Sequence, residues 1–154
     1  MTSVRDRLVE LGLCIPPAPA PKGAYYPTRL YGGQLWVSGA TARTSAGPGL
    51  AGLVGGHVSA ADAKAQARIA GLNLLGAVDA AVGLERVSAL LHLRGYVRAV
   101  PDFAAQPGVI DGASELFLEV FGEQVGAHAR TAIGVASLPG GACVELELVA
   151  AVYD

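Results

Sequence analysis

The segment HARTAIGVASLPGGACVELEL, residues 128–148, contains two runs of alternating side chains on either side of a proline–glycine connection. These runs predict two β-strands, because successive side chains of a strand point to opposite faces and Pro and Gly close short connections. Arg130 then shares its face with very small residues, so its planar guanidinium has room to accept both oxygens of a carboxylate. We expect Glu145 and Glu147 on the adjacent strand. An exposed strand arginine paired with a surface glutamate is the alternative that spacing alone favours.

The composition predicts one domain with a substantial core and a buried subunit interface. The chain has 154 residues, of which 52% are hydrophobic and 16% charged. Soluble proteins rarely expose large apolar patches without a partner, so this low charge indicates an apolar face buried between subunits. The net charge is −2 and Lys and Arg do not cluster, which argues against a nucleic-acid partner.

The chain shows no signal of secretion or of a disulfide scaffold. Cys14 and Cys143 lie far apart and outside any C-x-x-C pattern, so reduced thiols in a cytoplasmic protein are expected. Charged residues interrupt the first ten positions, which is unlike a signal peptide, and no apolar run reaches membrane-spanning length. We expect a single domain over 1–154, with an N-terminal helix and a proline-rich arm in residues 1–22, and no membrane association.

The coarse order of elements predicts an α+β fold. Helices are expected at residues 3–11 and 60–82, and from Asp111 or Gly112 to Phe121; strands are expected at 28–31, 34–38 and 87–98, in addition to the two above. Residues 41–56 are rich in Gly, Ala, Ser and Thr and predict a flexible or lid-like loop. Helices in such an order usually cover one face of a mixed sheet.

Several motifs together resemble the RidA family, also called the YjgF or endoribonuclease L-PSP family. The resemblance covers roughly residues 23–149, and it rests on Arg130-Thr131, Leu138-Pro139, Val144-Glu145-Leu146-Glu147, Gly23-Ala24-Tyr25, Leu35-Trp36-Val37-Ser38-Gly39 and the helix near Asn73. It implies a chorismate-mutase-like mixed sheet with two main helices on one face, assembled as a homotrimer with pockets between subunits. It also implies hydrolysis of small imino or enamino acids to a 2-oxo acid and ammonia. No cofactor and no metal are expected, because an iminium carbon is already electrophilic.

The resemblance assigns roles to individual residues of this chain. Arg130 corresponds to the arginine that binds the substrate carboxylate, and Glu145 to the glutamate that holds the attacking water. The resemblance also implies five pocket residues: Tyr25, Ser38, Gly39, Asp111 and Ala132. Two of these depart from the family pattern, since Asp111 stands where the family has Asn and Ala132 where it often has Cys.

Other functions and other roles stay open from the sequence. A non-catalytic binder of small carboxylates, or a proteostasis partner on the same trimeric scaffold, is the main alternative, and the acidic balance disfavours a ribonuclease. Arg130 could serve only as an intersubunit salt-bridge partner, and Glu145 could simply solvate a strand face. Ser38 is expected to bond backbone, and His128 to lie at a surface or interface unless it shuttles protons. His57 and His92 lack companions at metal-ligand spacing.

Overall fold

A five-stranded mixed β-sheet forms the centre of the structure, a computed structural model that describes residues 2–154. The strands are β1 (Thr28–Tyr31), β2 (Gln34–Ala40), β3 (Val87–Arg98), β4 (Ala129–Val135) and β5 (Val144–Val152). Their order across the sheet is β1-β2-β5-β3-β4, with β3 and β4 parallel and the other neighbours antiparallel. The helices are α1 (Val4–Glu10), α2 (Ala60–Ala81) and α3 (Gln106–Gly126). The predicted α+β fold with two main helices on one face of a mixed sheet is confirmed.

The predicted adjacency of the last two strands is wrong. β4 pairs in parallel with β3 at the edge of the sheet, whereas β5 pairs with β2 on one side and β3 on the other. Alternate residues of β5 from Val144 to Ala150 are buried, because one face of this central strand lies under the helix layer. The connection through a short 3₁₀ turn at Pro139–Gly141 therefore carries the chain past β3 rather than closing a hairpin.

Local sequence signals position the helices. Ser3 and Asp6 form a reciprocal capping box at the start of α1, and the Ser59 hydroxyl accepts from the Asp62 backbone N–H at the start of α2. The predicted start of the last helix at Asp111 or Gly112 is wrong. α3 begins at Gln106, with Pro107 in its first turn where a missing N–H costs nothing, so Asp111 lies in its second turn.

Small residues bring the helices close to each other and to the sheet. A Cβ at Gly95 of β3 would overlap with the Ile110 side chain of α3. A Cβ at Gly112 of α3 would overlap with the backbone carbonyl of Lys64 in α2. The core between these layers is apolar, and its largest fully buried side chains include Phe117, Leu35, Leu74, Leu75, Leu84, Leu93, Ile110, Leu116, Leu146 and Leu148.

The segments outside the sheet and helices are also anchored. Val54 in the glycine-rich loop is fully buried, and its backbone exchanges hydrogen bonds with Arg98 and Val100. The proline-rich arm crosses α2, where a Cβ at Gly76 would overlap with the Pro16 carbonyl. The loop is thus tied to the end of β3 at Val54, and the arm lies against the helix layer.

Two predicted absences concern membranes and disulfides. Within residues 2–154, no helix has both the length and the apolar character needed to cross a bilayer. Cys14 is exposed and Cys143 is buried, and neither is in a disulfide. Burial raises the pKa of the Cys143 thiol, as expected for a small core residue.

Candidate functional site

Arg130 lies on the helix-covered face of the sheet, at its β4 edge. Its Nη1 donates to Asp111 Oδ1 at 2.6 Å and to the Ser114 hydroxyl at 3.2 Å, both on α3. The side chain is 23% exposed. Nε and Nη2 make no hydrogen bond to any of residues 2–154, and neither is a buried unsatisfied atom. One edge of the guanidinium is therefore occupied, and the edge that can grip a second carboxylate stays open.

Ser114 and His128 extend this contact into a directed chain of hydrogen bonds. His128 Nδ1 lies 2.7 Å from the Gly126 carbonyl, and its Nε2 lies 2.9 Å from the Ser114 hydroxyl. Because a carbonyl can only accept, the proton of neutral His128 sits on Nδ1, and Nε2 accepts from Ser114. The Ser114 oxygen is then free to accept from Arg130. The imidazole also packs edge-on against Phe117, with 5.9 Å between ring centroids.

We call Asp111, Ser114, His128 and Arg130 the arginine cluster. Asp111 and Ser114 are three residues apart on α3, so they share one face of that helix. Ala132 lies two residues beyond Arg130 on the same face of β4 and packs against the core. The structure therefore places Arg130, Asp111 and Ala132 on one side of the sheet.

Glu145 lies on the opposite, open face of the sheet. It alternates along β5 with the buried Val144 and Leu146, so its carboxylate points away from the helices. Burial raises the pKa of Glu145 above its ordinary value, and the nearby charge of Glu147 raises it further. The Glu145 carboxylate lies directly over Gly39 of β2, where a Cβ would overlap with its Oε1.

Glu147 shares this open face but has partners of its own. Its Oε1 accepts from Arg94 Nη1 at 2.9 Å and from the Tyr96 hydroxyl at 3.0 Å. Burial, together with that hydrogen bond, raises the pKa of Tyr96. Glu145 makes no hydrogen bond or salt bridge within the described chain. Of the two glutamates, Glu145 is the one available to a ligand or a water molecule.

Tyr25 and Ser38 lie near Gly39, beneath the proline-rich arm. They border a cavity of ≈ 30 Å³, together with Pro19, Pro21, Asn73 and Leu74. The Ser38 hydroxyl donates to the Tyr26 carbonyl at 2.7 Å, in agreement with its expected backbone role. A cavity of this size holds a water molecule but no amino acid. Glu145 does not line this cavity, whose other wall is α2, and it contacts Gly39 on the open face of the sheet. We call Gly39 and Glu145 the glutamate cluster.

The two clusters lie on opposite faces of the same sheet. Arg130 is on the edge strand and contacts α3, whereas Glu145 is on the central strand and faces away from it. Glu145 is therefore not on the strand adjacent to Arg130, in contrast to the expectation from the sequence, and it lies on the other side of the sheet. One copy of the chain cannot bring both side chains to a common ligand.

Some features of the site are not predicted by the sequence. Ser114 carries no motif of its own, and only its spacing of three residues from Asp111 on a helix indicates that the two side chains share a face. The contact of His128 with Ser114 depends on the turn at Gly126, which no local pattern predicts. Among residues 2–154, no group of three or more His, Cys, Asp or Glu side chains is arranged to hold a metal ion.

The structure has a mixed five-stranded sheet, two covering helices and an arginine on the edge strand. These features agree with the class of small α+β proteins that the sequence motifs resemble. The chain belongs to the family described as "YjgF/chorismate_mutase-like, putative endoribonuclease", which it matches over residues 5–152. The resemblance expected from the sequence motifs is therefore confirmed.

Relatives from three organisms share most of the chain. Protein TCP17 of Trypanosoma cruzi is 40% identical over 145 residues, covering 94% of this chain and 91% of that protein. The crystal structure of Atu1372 from Agrobacterium tumefaciens, a protein of unknown function, is 38% identical, with a TM-score of 0.90, and the alignment covers 97% and 92% of the two chains. A "putative endoribonuclease" from Shewanella oneidensis is 30% identical, with a TM-score of 0.93 and coverage of 97% and 99%.

Proposed function

We propose that this protein is a hydrolytic deaminase of small 2-imino acids and their enamine tautomers. The observation that carries the proposal is the half-occupied guanidinium of Arg130. Asp111 and Ser114 hold Nη1 in place, while Nε and Nη2 have no partner among residues 2–154. That free edge matches the two oxygens of a ligand carboxylate.

The site is completed by a second copy of the chain. Because the arginine and glutamate clusters lie on opposite faces of one sheet, a common ligand needs the glutamate cluster of a neighbouring subunit. The open face carries Trp36, which is 49% exposed and pairs in register with Val149. Half-exposed apolar side chains on an uncovered sheet face favour burial against another subunit. A homotrimer with pockets between subunits, as the family resemblance implies, satisfies both requirements.

The proposed reaction adds water across the C=N bond. Arg130 holds the carboxylate end of the substrate, and this places the imine carbon beside a water molecule on Glu145 of the neighbouring copy. A glutamate with a raised pKa is a stronger base, and it takes a proton as the water oxygen bonds to carbon. The protonated Glu145 then returns this proton to the nitrogen of the carbinolamine. As the C–N bond breaks, the hydroxyl group gives its proton to Glu145, so that ammonia leaves and a 2-oxo acid remains.

The test is ammonia and pyruvate release from freshly generated 2-iminopropionate. We expect Arg130→Ala to lower kcat/KM by about 100-fold, because a charge-assisted bidentate contact is lost. Arg68→Ala is the matched control, since it also removes an arginine–carboxylate pair, to Glu119 at 2.8 Å, but on the outer helix surface. Equal rates for the wild type and Arg130→Ala would overturn the proposal.

Two competing functions predict different results in the same assays. A non-catalytic receptor would bind small carboxylates through Arg130 without producing ammonia. A ribonuclease would bind RNA with a steep dependence on salt. Lys64 and Arg94 each pair with a glutamate, and the net charge is −2, so the surface offers RNA phosphates little positive potential.

A further inference from the structure

The negative charge of Asp111 is a feature of the arginine cluster that the proposed reaction does not use, since only the contact of Asp111 with Nη1 enters there. Its Oδ1 accepts from Arg130, whereas Oδ2 makes no hydrogen bond to the chain over residues 2–154. The side chain is 45% exposed. Its backbone is fixed between the fully buried Ile110 and Gly112, which packs against α2. A free acceptor oxygen and a free donor edge therefore belong to two side chains that are in direct contact.

Arg130 and Asp111 present a positive and a negative charge, side by side, to an incoming ligand. Arg130 attracts a carboxylate, but the negative charge of Asp111 repels the same group and weakens that attraction. A ligand that also carries a positive nitrogen beside its carboxylate meets attraction from both residues. Protonated 2-imino acids and 2-amino acids have this arrangement, and 2-oxo acids do not.

We propose that Asp111 makes the site selective for zwitterionic 2-imino and 2-amino acids over the corresponding 2-oxo acids. The inference rests on the proposed function and names the charge state of the substrate that the site selects. Asp111 accepts a hydrogen bond from the N–H of the protonated imine and keeps its own charge throughout. The cationic C=NH₂⁺ group is the more electrophilic form, so the same contact favours attack by water at the carbon.

The selectivity also acts on the product. After water adds and the C–N bond breaks, ammonia carries the nitrogen away and a carbonyl oxygen takes its place. That oxygen faces the Asp111 carboxylate without a proton to share between them. The 2-oxo acid is therefore held more weakly than the imine that it came from, which favours its release.

A purely structural role for Asp111 makes a different prediction. If Asp111 served only to hold Arg130 in place, its loss would loosen the guanidinium and weaken every carboxylate ligand alike. Asp111→Asn separates the two roles, because the amide oxygen still accepts from Arg130 while the charge is removed. Ser114→Ala is the comparison variant, since it removes the other Nη1 contact and leaves the charge unchanged.

The experiment measures binding of L-alanine and pyruvate to the full chain by titration calorimetry, at constant pH and salt. These probes share a carbon skeleton and differ at the nitrogen. We expect the wild type to bind alanine more tightly than pyruvate. Asp111→Asn should weaken the binding of alanine and strengthen the binding of pyruvate, each by about five- to tenfold, as expected for the loss of a partly screened charge. Ser114→Ala should change the affinities for both ligands in the same direction.

Three outcomes separate this inference from the proposed function. An unchanged alanine-to-pyruvate ratio in a folded Asp111→Asn variant overturns the inference, even if the wild type releases ammonia from 2-iminopropionate. A shifted ratio without any turnover supports charge selection at Asp111 while the deaminase proposal fails. Failure of the wild type to bind either probe overturns the inference. Thermal melting and size exclusion of each variant establish that it is folded and assembled.

Discussion

Glu145 and Glu147 are two residues apart on one strand, yet their carboxylates have different surroundings. Arg94 and Tyr96 satisfy Glu147, whereas Glu145 rests over Gly39 with its pKa raised by burial and by the charge of Glu147. Folding raises the pKa of Glu145, so between its unfolded and folded pKa values the folded chain binds more protons. Its contribution to stability is thus complete below the unfolded pKa and is lost as the pH rises through the folded pKa.

This linkage predicts that Glu145→Gln is more stable than the wild type at pH 7. The gain in the free energy of unfolding should stay below about 1 kcal/mol, since water reaches part of the side chain and screens the charge. Urea unfolding at pH 7 and pH 4 measures it, and the gain should disappear at pH 4. Glu147→Gln is the control, because it weakens an existing ion pair and should give no gain. A destabilised Glu145→Gln at pH 7 would contradict the argument.

At the scale of single residues, the sequence indicated which side chains are candidates for the site better than it predicted what those side chains contact. The family resemblance around Arg130 marks it as a candidate carboxylate-binding residue, a role that stays a prediction, and it did not show that Asp111 contacts Nη1. That contact depends on where α3 starts and on how α3 lies over β4. Both follow from tertiary packing, which the local pattern of residues 106–112 does not report.

At the scale of elements, the contact between α2 and α3 depends on a glycine. Gly112 lies directly against the Lys64 carbonyl, and the helices could not approach as closely with any larger residue there. The neighbouring residue, Asp111, is thereby held at a fixed height above β4. The packing of α2 against α3 consequently also fixes the position of Asp111 in the arginine cluster.

We expect Gly112→Ala to destabilise the protein by about 1–3 kcal/mol, because the added methyl group overlaps with backbone that has to shift. Gly108→Ala is the matched control on the same helix, since a Cβ there meets no atom within 4 Å. It should stabilise by about 0.4–1 kcal/mol through reduced freedom of the unfolded chain. Chemical unfolding of both variants tests the pair, and a Gly112→Ala variant as stable as the wild type would count against the close contact.

The order of the strands in the sheet cannot be predicted from the periodicity of the sequence. Alternation identified β4 and β5 as strands and showed which residues share a face. It did not show that β5 inserts between β2 and β3, because pairing partners depend on the whole sheet. The consequence for the site was large, since it separated Glu145 from Arg130 by an intervening strand and by a change of face.

At the scale of the whole molecule, the separation of the two clusters predicts complementation between inactive variants. Arg130→Ala and Glu145→Ala should each be inactive alone as deaminases. Mixed by unfolding and refolding together, they should recover up to about a quarter of wild-type activity, because random assembly pairs an intact arginine with an intact glutamate at that frequency.

The control for complementation is the double variant Arg130→Ala/Glu145→Ala mixed with Arg130→Ala. That mixture contains no intact arginine at any interface and should stay inactive. Ammonia release after co-refolding gives the measurement. A mixture of the two single variants that stays as inactive as this control would show that both residues do not act in one shared site.

The central position of β5 also bears on the order of events during translation. The strand that fills the middle of the sheet is the last of the five to be synthesised, and β2 and β3 lack a common neighbour until it arrives. A nascent chain that has emerged only as far as β4 therefore exposes two unpaired strand edges and an open core. We therefore expect a chain truncated after Val135 not to form the native sheet, which closes only when β5 can pair with β2 and β3.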